Sequence, residues 1–291
     1  MRFALLALAL LCSSGAQAAA ERIVTLAPHL AELVCASGGC AKLVGVVRYT
    51  EYPDSAAQLP KVGDAASVNL EALLALKPDL VLAWDGGTPV DLIIRLRQLG
   101  LRVETVRIRT LREVGDAMWH IGGLMQTQTS AALSVKLYHH RLDQLQRRYW
   151  QASRLEVMYQ IEHDPIYTVN SLSPIHEALA LCGGHNVFAD VPHIATAVSL
   201  EAVLAANPEV VIFARQDNQV AIRAQWARFP QARAQHLGAI YAIDGSLLEH
   251  QSPRMLEGIA QLCSALDDAR AKRDRAAAVP VAAPPPTPAS H

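Results

Sequence analysis

The sequence predicts an α/β protein with two lobes, each built on a mostly parallel sheet, joined by a long rigid α-helix. The main evidence is an internal repeat: residues 69–84 read NLEALLALKPDLVLAW, and residues 199–214, 130 positions later, read SLEAVLAANPEVVIFA. Seven of the sixteen aligned positions are identical. Each copy has a capping residue, a glutamate, a short apolar helix, a proline and a β-prone strand, which indicates two similar lobes in one chain.

Strands and helices alternate on either side of each repeat copy. In the first lobe the remaining β-prone runs and helical stretches follow one another at residues 22–26, 29–37, 43–47, 90–99 and 101–106. In the second lobe they lie at residues 155–161, 239–243 and 253–266. This alternation is typical of Rossmann-like lobes, in which helices cover both faces of a mostly parallel sheet.

The middle of the chain is helical. Residues 111–124 have helical spacing that is broken at Gly122-Gly123, and residues 127–150 contain neither glycine nor proline. At 1.5 Å per residue, ~24 residues form a rod about 36 Å long. Such a rod can connect two lobes and restrict how far they hinge.

Both ends of the chain are predicted to lie outside the fold. Residues 1–18 resemble a signal peptide, with Arg2, an apolar run and the cleavage sequence Ala16-Gln17-Ala18. A lipoprotein would need a small residue before Cys12, where Leu11 stands. Residues 270–291 are charged and then Ala/Pro-rich, which predicts a disordered tail. The predicted domains are therefore the lobes at 19–124 and 153–269, with the linking helix at 125–152.

Composition excludes some classes of function. A formal net charge of −1 argues against nucleic-acid binding, which requires a basic footprint. After removal of the signal peptide, no apolar run remains that could anchor the chain in a membrane. We expect an exported monomer in the periplasm.

Four of the five cysteines belong to the predicted mature chain, which allows three disulfide connectivities. Cys35 and Cys40 flank Gly38-Gly39, where the chain is expected to fold back. Cys182 precedes another glycine pair, and Cys263 lies in the last predicted helix. We predict the pairs Cys35–Cys40 and Cys182–Cys263, with free buried thiols as the alternative for the first pair.

Catalytic signatures are absent from the sequence. There is no G-x-S-x-G sequence, no phosphate-binding glycine loop and no dinucleotide fingerprint. His176-Glu177 begins like a zinc-protease motif, but Ala180 occupies the position of the second histidine. We predict that the protein is not an enzyme; an exported metal-dependent hydrolase is the contrasting hypothesis.

The chain resembles the periplasmic substrate-binding proteins of iron-siderophore and cobalamin ABC importers, the class with a helical backbone between its lobes. The resemblance covers residues 22–269 and rests on the stretches IVTLAPHLAELV, LVGVVRYTEYP, NLEALLALKPDLVLAWDGG, CGGHNVF, VSLEAVLAANPEVVI and SPRMLEGIAQLC. It implies a receptor that delivers a corrinoid or an iron chelate to a membrane importer. It also implies a disulfide between Cys182 and Cys263.

The most specific part of this resemblance is the pair Glu71 and Glu201. Asn69 and Ser199 are good N-caps, so each glutamate is predicted to lie in the first turn of a helix. A carboxylate there stabilises the helix dipole, which is the structural alternative. In the family, the two glutamates contact arginines on the two transmembrane subunits of the importer. We therefore predict that Glu71 and Glu201 dock the protein to its transporter.

Ligands of α/β sheets bind beyond the carboxyl ends of the strands. The predicted loops there contain eight candidate ligand-binding residues: His29, Tyr49, Trp84, Asp85, His163, His193, Arg215 and His250. Tyr49 and Trp84 match aromatic positions of the cobalamin-binding family members. For Trp84, a core residue at a strand end is the structural alternative.

The pocket departs from the cobalamin binders at several positions. At positions where the cobalamin binders resemble one another in having tryptophan, this chain has Ala65, Ala195 and Leu247. Ser246 stands at the position that resembles their lower-axial carboxylate. Histidines can bind haem iron or transition metals, but none shows a tight ligand spacing. The candidate ligands are therefore a corrinoid, an iron chelate, haem or a metal ion, and no resident cofactor or metal is predicted.

Overall fold

The computed structural model describes residues 18–64 and 67–278. The signal peptide predicted at residues 1–18 falls almost entirely outside these ranges, as does Ala65. Within the described residues no helix is both long enough and apolar enough to cross a membrane.

The first lobe is a four-stranded parallel sheet in the order β2-β1-β3-β4. Its elements are β1 (Ile23–Thr25), α1 (Pro28–Ala36), a 3-10 helix (Cys40–Lys42), β2 (Leu43–Gly45), α2 (Asp54–Ala57), α3 (Leu70–Ala75), β3 (Leu80–Trp84), α4 (Val90–Gln98) and β4 (Val103–Val106). The two central strands, β1 and β3, are fully buried except at Trp84 because helices cover both faces of the sheet.

The second lobe repeats this topology with four parallel strands in the order β7-β5-β9-β10. Its elements are β5 (Leu155–Gln160), β6 (Ile166–Val169), α7 (Pro174–Leu181), β7 (Gly184–Asn186), β8 (Ala195–Val198), α8 (Leu200–Ala206), β9 (Val210–Ala214), α9 (Gln219–Ala227), α10 (Arg233–Leu237), β10 (Ile240–Ile243), α11 (Gly245–Leu248) and α12 (Met255–Ala278). The predicted fold class is confirmed. The antiparallel pair β6–β8, which the sequence did not predict, is added beside the main sheet.

Two helices connect the lobes, α5 (Glu113–Met125) and α6 (Gln128–Tyr149). Helix α6 contacts both lobes. Ser134 Oγ donates a 2.6 Å hydrogen bond to the carbonyl of Ala36, and Tyr149 donates one of 3.1 Å to Asp267 of α12. The long helix is therefore attached at both ends.

The expected break at Gly122-Gly123 was wrong. Both glycines lie inside α5, which continues to Met125 and is capped by Gln126, a residue in the left-handed region with φ 57°. A Cβ added at Gly122 would overlap the side chain of Ala131 on α6. Gly122 therefore allows two helices to approach closely instead of ending one of them.

The disordered tail was predicted to begin at residue 270, but α12 continues nine residues beyond Ala269. Charged side chains of this extension hold it to the lobe: Lys272 Nζ donates to the Gly238 carbonyl at 2.8 Å, and Arg273 Nη1 donates to the Arg154 carbonyl at 2.9 Å. The charges of Lys272 and Arg273 are visible in the sequence, but the carbonyl groups that they bind are not. Residues 279–291, the rest of the predicted tail, lie outside the described residues.

Both predicted disulfides are present. Cys35 of α1 is bonded to Cys40 of the 3-10 helix, and Cys182, which caps α7, is bonded to Cys263 of α12. Cys182 and Cys263 are fully buried. The second bond therefore ties the last helix to the core of the second lobe.

Candidate functional site

Two cavities lie between the lobes, and we call them together the cleft. The larger has a volume of about 430 Å³, within the range of small-molecule sites. It is lined by residues of both lobes: Trp84, Asp85, Gly86, Ile108, Arg109, Ile161, Val169, Leu172, Ser173, Pro174, Ile175, Ile194, Leu248, Glu249, Gln251 and Met255. Most of this wall is apolar, and Trp84 at the end of β3 supplies its aromatic ring.

The smaller cavity, of about 210 Å³, is lined by Pro28, Glu32, Tyr49, Glu51, Tyr52, Ser246, His250 and Arg254. Tyr49 is 75% exposed and has a φ of 64°, an uncommon conformation for a bulky residue. Its ring therefore projects from the loop that follows β2. The neighbouring Thr50 steadies that loop through a 2.9 Å hydrogen bond from its Oγ1 to the Val47 carbonyl.

His29 lies behind the cleft wall and does not line either cavity. Its ring meets the ring of Trp84 edge-on, with centroids 5.2 Å apart. Burial, and next the charge of His250, lowers the pKa of His29 from 6.5 to about 3. His29 is therefore neutral at physiological pH and supports Trp84 from behind.

The two carboxyl groups of the larger cavity have partners in the protein. Asp85 forms an ion pair with Arg107, and the hydroxyl of Tyr159 donates a 2.8 Å hydrogen bond to Glu249. Burial raises the pKa of Glu249, and the charge of Asp217 acts in the same direction. Both effects favour the neutral form of a carboxyl at the cavity wall.

The structure brings Trp84, Asp85, Tyr49 and His250 together at the cleft, with His29 behind them, but it does not place the other three predicted residues there. Arg215 and His163 each line a different cavity of the second lobe, and His193 lies in an exposed loop. The Gln225 side chain donates to the His163 carbonyl at 3.1 Å and holds that loop on α9. A loop after a strand can turn away from the cleft, so the placement of these three residues gives no support to the predicted ligand-binding role.

These two cavities of the second lobe are larger, at about 620 and 750 Å³, than either cavity of the cleft. We nevertheless place the ligand site in the cleft. Residues of both lobes line it, and it lies beyond the carboxyl ends of β1, β3 and β5, where α/β folds bind ligands.

The sequence reasoning missed several residues of the cleft, among them Glu32, Arg109 and Arg254. Glu32 is only 5% exposed although it is charged. A charge on the apolar face of the first helix, HLAELV, was the signal that could have identified it. No local pattern of the sequence places Arg109 or Arg254 at a cavity, and only the fold brings them there.

Glu71 and Glu201 occupy equivalent positions of the two lobes. Each is an exposed residue in the first turn of a short helix that precedes the third strand of its sheet. The caps are as predicted: the amide of Ala72 donates to Asn69 at 3.0 Å, and the amide of Ala202 donates to Ser199 at 3.2 Å. A hydrogen bond from its own backbone, and next one from the Ser199 hydroxyl, lowers the pKa of Glu201.

Two lobes of the same topology, a cleft between them and a helix attached to both define a two-lobed ligand receptor. The chain belongs to the periplasmic binding protein family, whose pattern it matches over residues 23–239.

Individual relatives agree with this assignment. The chain is 33% identical over 251 residues to the vitamin B12-binding protein of Vibrio cholerae, covering 85% of this chain and 89% of that protein. The crystal structure of the periplasmic vitamin B12 binding protein of Vibrio cholerae superposes with a TM-score of 0.80 at 31% identity, over 86% and 98% of the two chains. A periplasmic haem binding protein from Pseudomonas aeruginosa reaches a TM-score of 0.74 at 25% identity, over 84% and 92%.

Proposed function

We propose that this protein is the periplasmic receptor of an ABC importer and that it delivers a cobalamin-like corrinoid bound in the cleft. The observation that carries the proposal is the matched pair Glu71 and Glu201, displayed on equivalent helices on either side of that cleft. Family membership supports the receptor role, and the relatives that bind vitamin B12 support the class of ligand.

The docking role follows from the pairing of the two lobes. An exposed carboxylate on a lone helix needs no explanation beyond the helix dipole. Here the same carboxylate occurs twice, each time at the start of the helix before the third strand of its lobe. An importer with two transmembrane subunits can offer one cation to each glutamate, and such charge-assisted contacts orient a complex.

The aromatic walls of the cleft support a corrinoid as the ligand. Trp84 in the larger cavity and Tyr49 in the smaller one can contact the faces of a large flat ring system. Ala195, which is exposed on β8, and Leu247, which is buried in α11, are not aromatic, so neither adds an aromatic face. Because the cleft has fewer aromatic side chains than the resemblance to cobalamin binders implies, we expect it to hold a corrinoid less tightly.

Haem is the second candidate ligand. His250 and Tyr49 line the same small cavity, and both are side chains that can bind haem iron. A bare metal ion has less support. Among residues 18–64 and 67–278, no group of three histidine, cysteine or acidic side chains could hold one.

The periplasmic location is part of this proposal. The relatives described above are periplasmic binding proteins, which implies export. Residues 1–18 would then direct export and be removed.

Uptake assays test the proposal directly. We expect the double variant Glu71→Gln/Glu201→Gln to bind cyanocobalamin as tightly as the parent protein but to support little uptake by cells that carry the importer. Glu257→Gln is a matched control, since Glu257 is an exposed first-turn glutamate of α12. Unchanged uptake by the double variant would overturn the docking role, and failure of the parent protein to bind cyanocobalamin would overturn the corrinoid.

A further inference from the structure

A buried carboxylate of the first lobe contacts the second lobe at the cleft. Glu32 on α1 is 5% exposed, and its Oε2 accepts a 2.8 Å hydrogen bond from the hydroxyl of Ser252. Ser252 is fully buried and lies 220 positions further along the chain. A hydrogen bond to a buried charge is among the stronger contacts in a protein.

Arg254 adds two contacts beside the one between Glu32 and Ser252, and we call these contacts together the junction between the lobes. Its Nη1 lies 3.8 Å from Oε1 of Glu32, and its guanidinium carbon lies 4.1 Å from the centre of the Tyr52 ring. Glu32 and Tyr52 belong to the first lobe and Arg254 to the second. Arg254 is thus held by an anion and by an aromatic face of the opposite lobe, and both favour a guanidinium.

His250 completes the surroundings of Glu32. Its Nδ1 lies 3.6 Å from Oε1 of Glu32, beyond hydrogen-bonding distance. Glu32 therefore faces three side chains of a single segment of the second lobe, residues 249–255, which we call the wall segment.

The wall segment lines both cavities of the cleft. Glu249, Gln251 and Met255 line the larger cavity, and His250 and Arg254 line the smaller one. Its residues 249–254 lie between α11 and α12 and are irregular, so no helical or sheet ladder of hydrogen bonds fixes their path. Its contacts with Glu32 are the polar ones that attach it to the first lobe.

We propose that Glu32 is a positioning residue that fastens the wall segment to the first lobe and thereby sets the shape of the ligand cleft before the ligand arrives. The inference rests on the proposed function in placing the ligand in the cleft. Glu32 acts through Ser252 and Arg254 and need not contact the ligand. Pre-forming the wall raises affinity because the segment has less freedom to lose on binding.

The first test needs no ligand. Hydrogen–deuterium exchange of the wall segment is measured in the parent protein, in Glu32→Gln and in Glu32→Ala. We expect faster exchange in both variants and the larger increase in Glu32→Ala, since glutamine still offers an oxygen to Ser252. Glu104→Gln is the matched control, because Glu104 pairs with His120 at 2.8 Å away from the cleft and its loss is expected to leave this exchange unchanged.

The second test measures affinity for cyanocobalamin. We expect Glu32→Gln to weaken binding about tenfold, equivalent to about 1.4 kcal/mol, and Glu104→Gln to have no effect. Two variants at Tyr52 probe the junction without touching Glu32. Both are read by hydrogen–deuterium exchange of the wall segment without ligand: Tyr52→Phe keeps the aromatic face and is expected to exchange like the parent protein, whereas Tyr52→Leu is expected to exchange faster.

The two tests separate this inference from the proposed function. If the parent protein binds no cyanocobalamin, the corrinoid assignment fails, and exchange of the wall segment still decides the role of Glu32. Parent-like exchange in folded Glu32→Gln and Glu32→Ala would overturn the inference. If the parent protein binds cyanocobalamin and both variants bind it equally tightly, the inference is overturned as well. If Glu32→Ala does not fold, Tyr52→Leu and Glu32→Gln decide the outcome.

Discussion

The hydroxyl of Tyr159 donates a 2.8 Å hydrogen bond to Oε1 of Glu249 at the wall of the larger cavity. Tyr159 is fully buried at the end of β5, and burial raises its pKa well above the ordinary value. Glu249 as a residue reaches the surface, but its carboxyl is turned toward Tyr159, and burial raises its pKa above 4.5. The cavity therefore contains a carboxyl that resists ionisation.

Glu249→Gln is expected to stabilise the protein above neutral pH. A carboxyl whose pKa is raised in the folded state binds more protons there than in the unfolded chain, so stability falls as pH rises from 4.5 through the folded-state pKa. Glutamine does not ionise and keeps the oxygen that Tyr159 contacts. Because the residue is partly exposed, we expect a gain in Tm of a few degrees at about pH 8, and about 1 kcal/mol corresponds to about 2–4 °C.

Thermal unfolding at about pH 8 and about pH 4 checks this prediction. The advantage of Glu249→Gln is expected to shrink at the lower pH, where Glu249 is mostly protonated in both states. A variant less stable than the parent protein at pH 8 would contradict the assigned environment of Glu249.

The contribution of His29 to the pH dependence of stability has the opposite sign. Its pKa falls from 6.5 to about 3 because it is buried and, next, because of His250. The unfolded chain then binds a proton that the folded protein does not, so stability is lost as pH falls from 6.5 toward about 3. His29→Gln, which cannot be protonated, is expected to lose less stability on acidification, by up to about 3 kcal/mol at pH 4.

The measurement is the change in unfolding free energy between pH 7 and pH 4 for the two proteins, by urea denaturation. The comparison uses the pH dependence of each protein because His29→Gln also loses the ring contact with Trp84 at every pH. Equal pH dependence would show that His29 is protonated in the folded protein.

Gly87 is expected to be essential for the position of Trp84. A Cβ at Gly87 would overlap the six-membered ring of Trp84, so Gly87→Ala must displace a wall of the larger cavity. We expect about tenfold weaker ligand binding and an altered near-ultraviolet circular dichroism spectrum. Gly123→Ala is the control, since a Cβ there meets no atom within 4 Å. Parent-like affinity of Gly87→Ala would remove Trp84 from the site.

The two disulfides are expected to contribute unequally to stability. Loss of a crosslink costs more when the closed loop is longer, and the bonded cysteines are 81 residues apart in one case and 5 in the other. Replacing Cys182 and Cys263 by alanine is expected to cost about 4 kcal/mol, and replacing Cys35 and Cys40 about 2 kcal/mol. Urea unfolding of the two double variants measures both values, and the reverse order would contradict the loop-length account.

Local patterns of the sequence predicted most of the fold. The repeat placed α3 with β3 and α8 with β9, because capped helices and apolar strands are encoded within about sixteen neighbouring residues. The long helix α6 was predicted from an uninterrupted stretch. Gly122-Gly123 was misread because a glycine that breaks a helix and one that lets two helices touch look the same in sequence.

The candidate site was less predictable, since distant residues build it. Strand ends placed Trp84 and Asp85 at the cleft, where the general rule for α/β sheets applies. The contact of Glu32 with Ser252 joins residues 220 positions apart, and no local pattern encodes it. The loops that carry His163 and Arg215 turn toward other cavities because of side-chain contacts that the sequence does not show.

The central claim is that this receptor binds a corrinoid in the cleft between its lobes. Isothermal titration of the parent protein and of Trp84→Ala with cyanocobalamin, and separately with haem, tests it most directly. We predict that one cyanocobalamin binds per parent chain, that Trp84→Ala binds it at least about tenfold more weakly, and that haem binds less tightly than cyanocobalamin. Tight binding of haem without binding of cyanocobalamin would contradict the claim.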